Sequence, residues 1–323
     1  MAPHTAARLI PFPFKPTMKK AIVCLFAAVL AAAFSSAQSE PVKIRIGYAS
    51  ALHGQVAKAL GEAGIARKHG LEAELSFFQY GPPQAEALAS KNLDVSFTSL
   101  VPTSSLLSKK PGYVKVVAAL GSSVHGLVVQ GGGDIKTLAD LKGKTIGLPF
   151  GSDSHVDLLV ALKAAGLDPA TDVKLQNLAP NEQAAPFQQK LVDGVLARPP
   201  LEQRLQKEFG GREIQQWPHH LWAIARTDYL NENPGVEARL QAAITEAVLY
   251  VVAHPEETAG WFAQDLRQKP EAVQAVARFN PLYKVAPESI SVVPGDEIRA
   301  FARKRSAQLV DIGFTKEPVV FFP

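Results

Sequence analysis

The chain is short of cysteine, with only Cys24 among its 323 residues. Cys24 lies inside an apolar run, Ala21–Phe34, so removal of that segment would leave a chain without disulfides, thiolate nucleophiles or cysteine metal ligands. A lipid anchor on Cys24 is not expected either. A lipoprotein signal places small residues before its cysteine, whereas Ile22 and Val23 stand there.

Long hydrophobic runs are also missing. The 14 residues of Ala21–Phe34 are too few to cross a hydrocarbon core of ~30 Å as a helix. Lys19 and Lys20 precede this run and Ser35–Ala37 follow it, which is the order of a secretory signal peptide. We therefore expect cleavage after Ala37; the alternative is a buried N-terminal helix.

An excess of positive charge exists only in this leader. Residues 1–37 hold four of the 34 basic residues and no acidic one, which leaves 30 basic and 30 acidic residues. We take Met18 as the start and residues 1–17 as an upstream extension. A neutral mature chain gives no reason to expect nucleic acid or an anionic membrane surface as a partner.

Catalytic signatures are absent from the sequence as well. It has no G-x-S-x-G elbow, P-loop, H-E-x-x-H helix or G-x-G-x-x-G after a strand. His219 and His220 could form a metal-binding pair, but no cysteine or carboxylate lies at ligand spacing from them. We therefore place them in a loop or in a cleft wall. We predict no catalytic residue, no metal site and no cofactor.

Alternating strand and helix patterns fill the first two thirds of the chain. Strands are predicted at 42–48, 71–78, 93–97, 114–120, 127–130, 145–150, 173–178, 194–197 and 221–226, with helices between most of them. Helical patterns dominate from residue 234 onward. This order predicts an α/β protein with mostly parallel sheets flanked by helices. Because no linker or repeat divides the chain, strands should cross between two lobes.

Polar loops follow several predicted strands and lead into helices. They comprise Ser50–Gln55, Tyr80–Gln84, Thr98–Thr103 and Phe150–His155. Such loops form the ligand crevice of open α/β sheets, and helix N-termini favour a bound anion. The alternative for any one loop is simple capping of the helix, for example by Asp153 or Ser154.

Arg198 stands at the carboxyl end of the strand at 194–197, directly before Pro199. The planar guanidinium fork suits the oxygens of a carboxylate or a sulfonate. This position predicts an anion-binding arginine; a surface arginine is the alternative.

The stretch from Tyr80 to Pro200 resembles the substrate-binding proteins of nitrate/sulfonate/taurine ABC transporters. The matching pieces are Leu88–Val95, Asp140–Gly147, Gly151-Ser152 with the helix that follows, and Val192–Val195 leading to Pro200. The same superfamily includes the proteins associated with the pyrimidine precursor of thiamine. Arg198 and Pro199 replace the aromatic and acidic residues of many sulfonate-type relatives, and Asn92 replaces a glycine. These departures concern the ligand rather than the fold.

The resemblance implies a two-lobed type II periplasmic binding fold. Lobe one would comprise residues 38–124 and 226–323, with the helical C-terminal part packed on it, and lobe two residues 125–225. The ligand-binding residues would be Tyr48, His53, Gly81, Thr98, Thr103, His125, Ser152, Asp153, Ser154 and Arg198. Hinge closure would bury the ligand between the lobes.

The function implied is capture of a small anion in the periplasm, by a monomer, for a membrane ABC permease. Sulfonates, taurine, nitrate and aromatic carboxylates are the expected ligands, the last if Tyr80, Phe150 or Trp217 face the cleft. The alternatives are an enzyme or a pyrimidine-precursor-binding protein on the same fold, and a ligand-sensing domain.

Overall fold

A computed structural model describes residues 40–277 and 280–322. The leader predicted for residues 1–37 lies outside these residues. The strands of the described part form one sheet in the order β2-β1-β3-β8-β4-β7-β5-β6. They are β1 Val42–Ala49, β2 Leu71–Phe78, β3 Val95–Ser99, β4 Val114–Gln130, β5 Thr145–Leu148, β6 Lys174–Asn177, β7 Gly194–Ala197 and β8 Gly211–Arg226.

Helices flank this sheet, and most of those in the first two thirds directly follow a strand. The α-helices of the described residues are α1 His53–Glu62, α2 Ile65–Lys68, α3 Gly81–Ala89, α4 Leu100–Lys109, α5 Asp153–Ala164, α6 Ala184–Gln188, α7 Leu201–Phe209, α8 Thr227–Glu232, α9 Val236–Ala253, α10 Pro255–Leu266, α11 Pro270–Ala277 and α12 Asp296–Asp311. None of the helices in the described ranges has both the length and the apolar character that crossing a membrane requires.

The two ends of the sheet are parallel and its centre is antiparallel. Strand β1 pairs in parallel with β2 and β3, and β5 pairs in parallel with β6 and β7. The central strands β4 and β8 run antiparallel to each other and to their outer neighbours β7 and β3. This arrangement confirms the predicted α/β class, and the long antiparallel pair joins the two parallel ends.

Strands β4 and β8 are much longer than the sequence indicated, at 17 and 16 residues. The prediction of two strands between 114 and 130 was wrong, because the chain stays extended through a left-handed residue, Gly121, with φ of 78°. The prediction for β8 missed its first ten residues. This part of β8 is mostly polar, so it lacks the alternation of apolar and polar residues that indicates a strand. It also contains Pro218, which has no backbone N–H to donate.

Four separate buried clusters form the core of the described residues, one on each face of each end of the sheet. Adjacent residues of β4 point to opposite faces, so Val116 and Val117 enter two different clusters. Leu127 and Val128, farther along the same strand, enter the other two. A single strand therefore contributes to every cluster and fixes the two ends relative to each other.

Candidate functional site

A cavity of about 460 Å³ opens where the carboxyl ends of several strands meet. Ser50 follows β1, Gln79 closely follows β2, and Arg198 directly follows β7. The opposite wall comes from the last turn of α10. The lining consists of Ser50, Phe77, Gln79, Pro180, Asn181, Ala184, Arg198, Pro199, Pro200, Leu201, Arg204, Asp265, Leu266, Arg267 and Gln268. This is the crevice at which open α/β sheets hold ligands.

Arg198 lines this cavity and is half-buried. Strand β7 positions it firmly, since all four residues of that strand are buried. Within the described part of the chain, its guanidinium has no hydrogen bond and no ion pair within 4 Å. Burial lowers the pKa of Arg198, and the negative charge of Asp153 opposes that shift. The guanidinium is thus a charged fork without a hydrogen-bond or ion-pair partner among the described residues.

Two buried histidines lie within electrostatic range of Arg198. His53, at the start of α1, is 1% exposed, and its Nδ1 has no hydrogen-bond partner among the described residues. Burial and the positive charge of Arg198 lower its pKa to about 3. His219, on β8, is 2% exposed, and the same two causes hold its pKa well below the ordinary value. Both rings are neutral at physiological pH.

Asp153 brings a carboxyl group close to His219. It is the first residue of α5, and one of its oxygens, Oδ2, accepts a 2.5 Å hydrogen bond from the Ser99 hydroxyl. Nε2 of His219 lies 3.9 Å from that oxygen. Burial raises the pKa of Asp153, while Ser99 and Arg198 oppose the rise.

His125 sits on β4 beside this group and is fully buried. Its ring centre is 5.6 Å from that of His219, and its Nε2 is 2.9 Å from Oδ2 of Asp157. Arg305 of α12 pairs with the other oxygen of Asp157. We call His53, His125, Asp153, Arg198 and His219 the polar cluster.

Thr98 and Gly81 meet at the ends of β3 and β2. Thr98 is 3% exposed, and its hydroxyl has no hydrogen-bond partner among the described residues. A Cβ on Gly81 would overlap Pro102 and lie 3.4 Å from the Thr98 hydroxyl, so glycine permits the close approach of α3.

Ser152 caps α5, whereas the alternative interpretation of this loop had named Asp153 or Ser154 as the cap. Ser152 Oγ donates a 2.6 Å hydrogen bond to the Pro149 carbonyl and accepts one from the His155 amide. Ser154 Oγ lies 2.8 Å from Ser152 Oγ. Both hydroxyls are therefore engaged within their own turn.

Tyr48 and Thr103 make contacts within the protein. The Tyr48 hydroxyl donates a 2.8 Å hydrogen bond to Asp265, which lines the cavity, so Tyr48 supports the wall from behind. The Thr103 hydroxyl donates to the Ser99 carbonyl and accepts from the Trp222 indole at 3.0 Å. Whether either contacts a ligand stays a prediction.

The sequence did not indicate two residues that the structure brings to the site, His219 and Phe77. His219 was assigned to a loop or wall, whereas it lies on a strand and points into the polar cluster. Phe77 is the aromatic residue in the cavity lining, where Tyr80, Phe150 or Trp217 had been considered. Its position at the carboxyl end of β2 was the available signal.

A metal site finds no support in the described ranges, where no three histidine, cysteine or acidic side chains converge suitably.

Comparison with known proteins gives one family and many relatives. The sequence model of the NMT1-like family matches residues 37–267. A Brucella abortus protein named as a binding protein is 27% identical over 296 residues, which covers 88% of this chain and 90% of that one. The taurine-binding periplasmic protein of Escherichia coli is 28% identical over 262 residues, covering 77% of each chain.

Solved structures with the same fold include binding proteins and an enzyme. The alkanesulfonate-binding protein of Xanthomonas axonopodis, bound to MOPS, superposes with a TM-score of 0.71 at 17% identity, covering 88% of this chain and 97% of that one. The desulfurization enzyme DszB superposes with a TM-score of 0.63 at 17% identity, covering 87% and 95%. The fold is that of periplasmic binding proteins, and a fold alone does not fix a function.

Proposed function

The chain belongs to the NMT1-like family, and on that premise we propose that it is the solute-binding component of an ABC importer. It captures a small organic anion in the crevice between the two ends of the sheet. Relatives named for binding taurine and aliphatic sulfonates support this assignment.

One observation carries the proposal. Arg198 is half-buried in the lining of the cavity, and its guanidinium has no hydrogen-bond or ion-pair partner among the described residues. An unpaired charge taken out of water costs several kcal/mol, so it is retained where a ligand supplies the counter-charge. The fork geometry matches two oxygens of a sulfonate or carboxylate.

The rest of the cavity favours an organic anion over a bare inorganic ion. Phe77, Leu201 and Leu266 give it apolar walls, and the amides of Gln79 and Asn181 add polar groups. A cavity of about 460 Å³ lies in the range of small-molecule sites. We propose a sulfonate or carboxylate head group at Arg198 with its organic part along these walls.

Binding closes two lobes by bending at the crossing strands. We place one crossing between Gly121 and His125, close to the boundary expected from the sequence. The second lies near Pro218 rather than at residue 225, because Leu221 and Ala225 pack in a cluster with β1 and β3. A ligand held by both lobes stabilises the closed arrangement by its differential affinity for that state.

The predicted leader and the relative named as periplasmic support a location outside the cytoplasm, with a membrane permease as the partner. Expression with the native leader in a Gram-negative host, followed by fractionation, should place a shortened protein in the periplasm. Full-length protein recovered only from the cytoplasm would contradict both the location and the transport role.

We propose binding without chemistry. The curated relatives named here are binding proteins, while the enzyme with the same fold shows that the architecture also supports catalysis. A bound alkanesulfonate should be recovered unchanged after prolonged incubation, as followed by NMR; a product that accumulates with time would favour the enzyme.

The decisive experiment removes the guanidinium. Thermal-shift screening with taurine, alkanesulfonates, nitrate, aromatic carboxylates and pyrimidines identifies a ligand, since a tight binder raises the midpoint. We expect Arg198→Ala to weaken binding of that anion by at least about 1.5 kcal/mol, because a charged hydrogen bond is lost. Isothermal titration calorimetry measures the change.

Two further variants make this experiment specific. Arg198→Lys keeps the charge but loses the fork, so it should fall between the wild type and Arg198→Ala. Arg204→Ala removes a second cation from the wall, but that arginine is already paired with Glu208 at 2.9 Å and should matter less. Equal losses at Arg198 and Arg204, or none at either, would refute the assignment.

A further inference from the structure

Two carboxyl groups from neighbouring elements meet beside strand β4. Glu202 lies in the first turn of α7, and Glu213 lies near the start of β8. A Cβ on Gly126 would lie 2.7 Å from Oε2 of Glu213 and 3.1 Å from the carboxyl carbon of Glu202, so both groups lie against the same backbone position. The Gln216 amide nitrogen is 3.3 Å from that oxygen of Glu213 and 3.5 Å from Oε1 of Glu202. One amide donor therefore serves two carboxyl groups.

Glu202 is the more buried of the two. It is 2% exposed, and its Oε2 has no hydrogen-bond partner among the described residues. If both groups were ionised, Glu202 would be a buried charge with one unsatisfied oxygen next to a second negative charge, which is costly. A proton on one carboxyl group removes both costs, because it cancels one charge and supplies a donor to the other group.

No cation is paired with either carboxyl group in the described part of the chain. Arg212 of β8 donates to a backbone carbonyl, and Arg204 of α7 is paired with Glu208 at 2.9 Å. Lys207 of α7 is exposed. Strand β4 faces the pair with Gly126, and both β7 and the adjacent helix α6 consist of uncharged residues. A proton is therefore what remains to neutralise the pair.

The first turn of α7 connects this pair to the cavity. The backbone N–H of Glu202 donates a 3.0 Å hydrogen bond to the carbonyl oxygen of Arg198. Gly126, against which the pair lies, is opposite Ala197 in the pairing of β4 with β7, and Ala197 directly precedes Arg198. Leu201 of the same turn lines the cavity. A change in the position of this turn therefore changes the cavity wall.

We propose that Glu202 and Glu213 share one proton, and that this proton holds the first turn of α7, together with Arg198, against the sheet. The proton comes from solvent, so one O–H bond forms and the pair loses one of its two negative charges. When the proton is lost, two carboxylates repel each other and the turn is held less firmly. Proton sharing does not depend on the proposed function, whereas its effect on anion binding rests on it.

The shared proton makes the stability of the protein depend on pH. Burial and the carboxyl group of Glu213 raise the pKa of Glu202 to about 8, and the Gln216 amide opposes the rise. The folded chain thus binds the proton more tightly than the unfolded chain, where a glutamate has a pKa of about 4.3. The stability that the pair contributes is present at low pH and is lost as the pH rises from about 4.3 towards about 8.

Urea denaturation as a function of pH tests the proton sharing. Relative to Glu202→Gln, the unfolding equilibrium constant of the wild type should increase by up to about tenfold per pH unit between about pH 5.5 and about pH 7.5. The glutamine amide donates to Glu213 at every pH, so it replaces the shared proton and removes this dependence. Parallel profiles of the wild type and the variant would overturn the proposal.

Two further variants separate a shared proton from other effects of charge. Glu213→Gln removes the second negative charge, so the pH dependence should move to lower pH, and this holds as a test even if Glu202→Gln does not fold. An unchanged profile would show that Glu202 is a lone buried acid and that the proposal is wrong. Glu288→Gln neutralises an exposed glutamate and should keep the wild-type profile.

Calcium chloride distinguishes a proton from a bound cation. At about pH 8.5 and constant ionic strength, calcium should change the thermal midpoints of the wild type and of Glu202→Gln equally, since the pair takes up a proton. Stabilisation of the wild type alone would show that the pair holds a metal ion instead, which would overturn the proposal.

Anion binding tests the connection to Arg198. By calorimetry, the affinity of the wild type for 1-butanesulfonate should fall by at least about threefold between about pH 6 and about pH 8.5, while that of Glu202→Gln stays constant. The same pH dependence in both proteins would place its cause elsewhere and overturn the connection. If no anion binds at either pH, the proposed function fails, and the denaturation profiles still decide whether a proton is shared.

Discussion

Hydroxyl groups near the carboxyl end of β3 serve two different purposes. The Thr98 hydroxyl is buried without a hydrogen-bond partner among the described residues, whereas the Thr103 hydroxyl, one helical turn into α4, makes two hydrogen bonds. An unsatisfied buried hydroxyl indicates a missing partner, and a doubly bonded one indicates a structural role. Thr98 is therefore the better candidate for a ligand contact.

Thr103→Val tests that distinction. The substitution keeps the shape of the side chain but leaves the buried Trp222 indole N–H without its acceptor. We expect the free energy of unfolding to fall by about 1–3 kcal/mol, measured by urea denaturation, with ligand affinity unchanged. Thr103→Ser, which keeps the oxygen, should stay close to the wild type. A large loss of affinity in folded Thr103→Val would place Thr103 in the site after all.

The location of a single residue could be predicted where the residues next to it in the chain indicated the end of a strand. Arg198 follows a short apolar strand and precedes a proline, and this alone placed it at the crevice. His219 could not be predicted, because polar residues and Pro218 hide the strand that carries it. The pairing of Ser99 with Asp153 joins residues 54 positions apart, a relation that no local pattern reports.

At the scale of elements, β4 depends on one residue in the left-handed region. Gly121 has φ of 78° and lies at a register shift in the pairing with β8. A Cβ there would overlap the Asn280 side chain. The carboxamide oxygen of Asn280 accepts a hydrogen bond from the Ser122 amide at 3.2 Å, so the overlap would disturb a contact that holds the bend.

Gly121→Ala should accordingly destabilise the protein by about 2 kcal/mol or more, since it adds left-handed backbone strain to a steric overlap. Chemical denaturation gives the value. Gly132→Ala is the matched control, because that glycine lies in the turn just beyond β4 with open space around it. Its effect should stay within about 0.5 kcal/mol. Equal stabilities of the two variants would show that the bend tolerates a side chain.

Element boundaries followed from the sequence wherever the local signals agreed. Strands β2 and β7 begin and end at the predicted residues, because alternation or a short apolar run is bounded by turn residues on both sides. The chain between β1 and β2 forms two helices rather than one, since Gly64 adopts a left-handed conformation between them. A glycine inside a helical pattern is ambiguous until its φ is known.

For the whole molecule, the order of strands and helices was enough to predict the α/β class. The absence of a linker predicted strands that run from one part of the molecule to the other, and β4 and β8 do join the two parallel ends of the sheet. The order of the elements did not predict how long the crossing strands are. Strands β4 and β8 pair along their whole length, with Val114 opposite Arg226 at one end and Gln130 opposite Gly211 at the other. The pairing depends on residues about a hundred positions apart, which only the folded chain brings together.

The long antiparallel pair of β4 and β8 also limits how the ligand preference of such a protein can diversify. Neither half can be exchanged with that of a relative by recombination at a linker, because one junction would cut β4, which contributes to all four described clusters, and the other would cut β8. The loops after β1, β2, β6 and β7 carry no such constraint, since they line the cavity at their strands' ends. New ligand preferences therefore arise by substitution in these loops, one residue at a time.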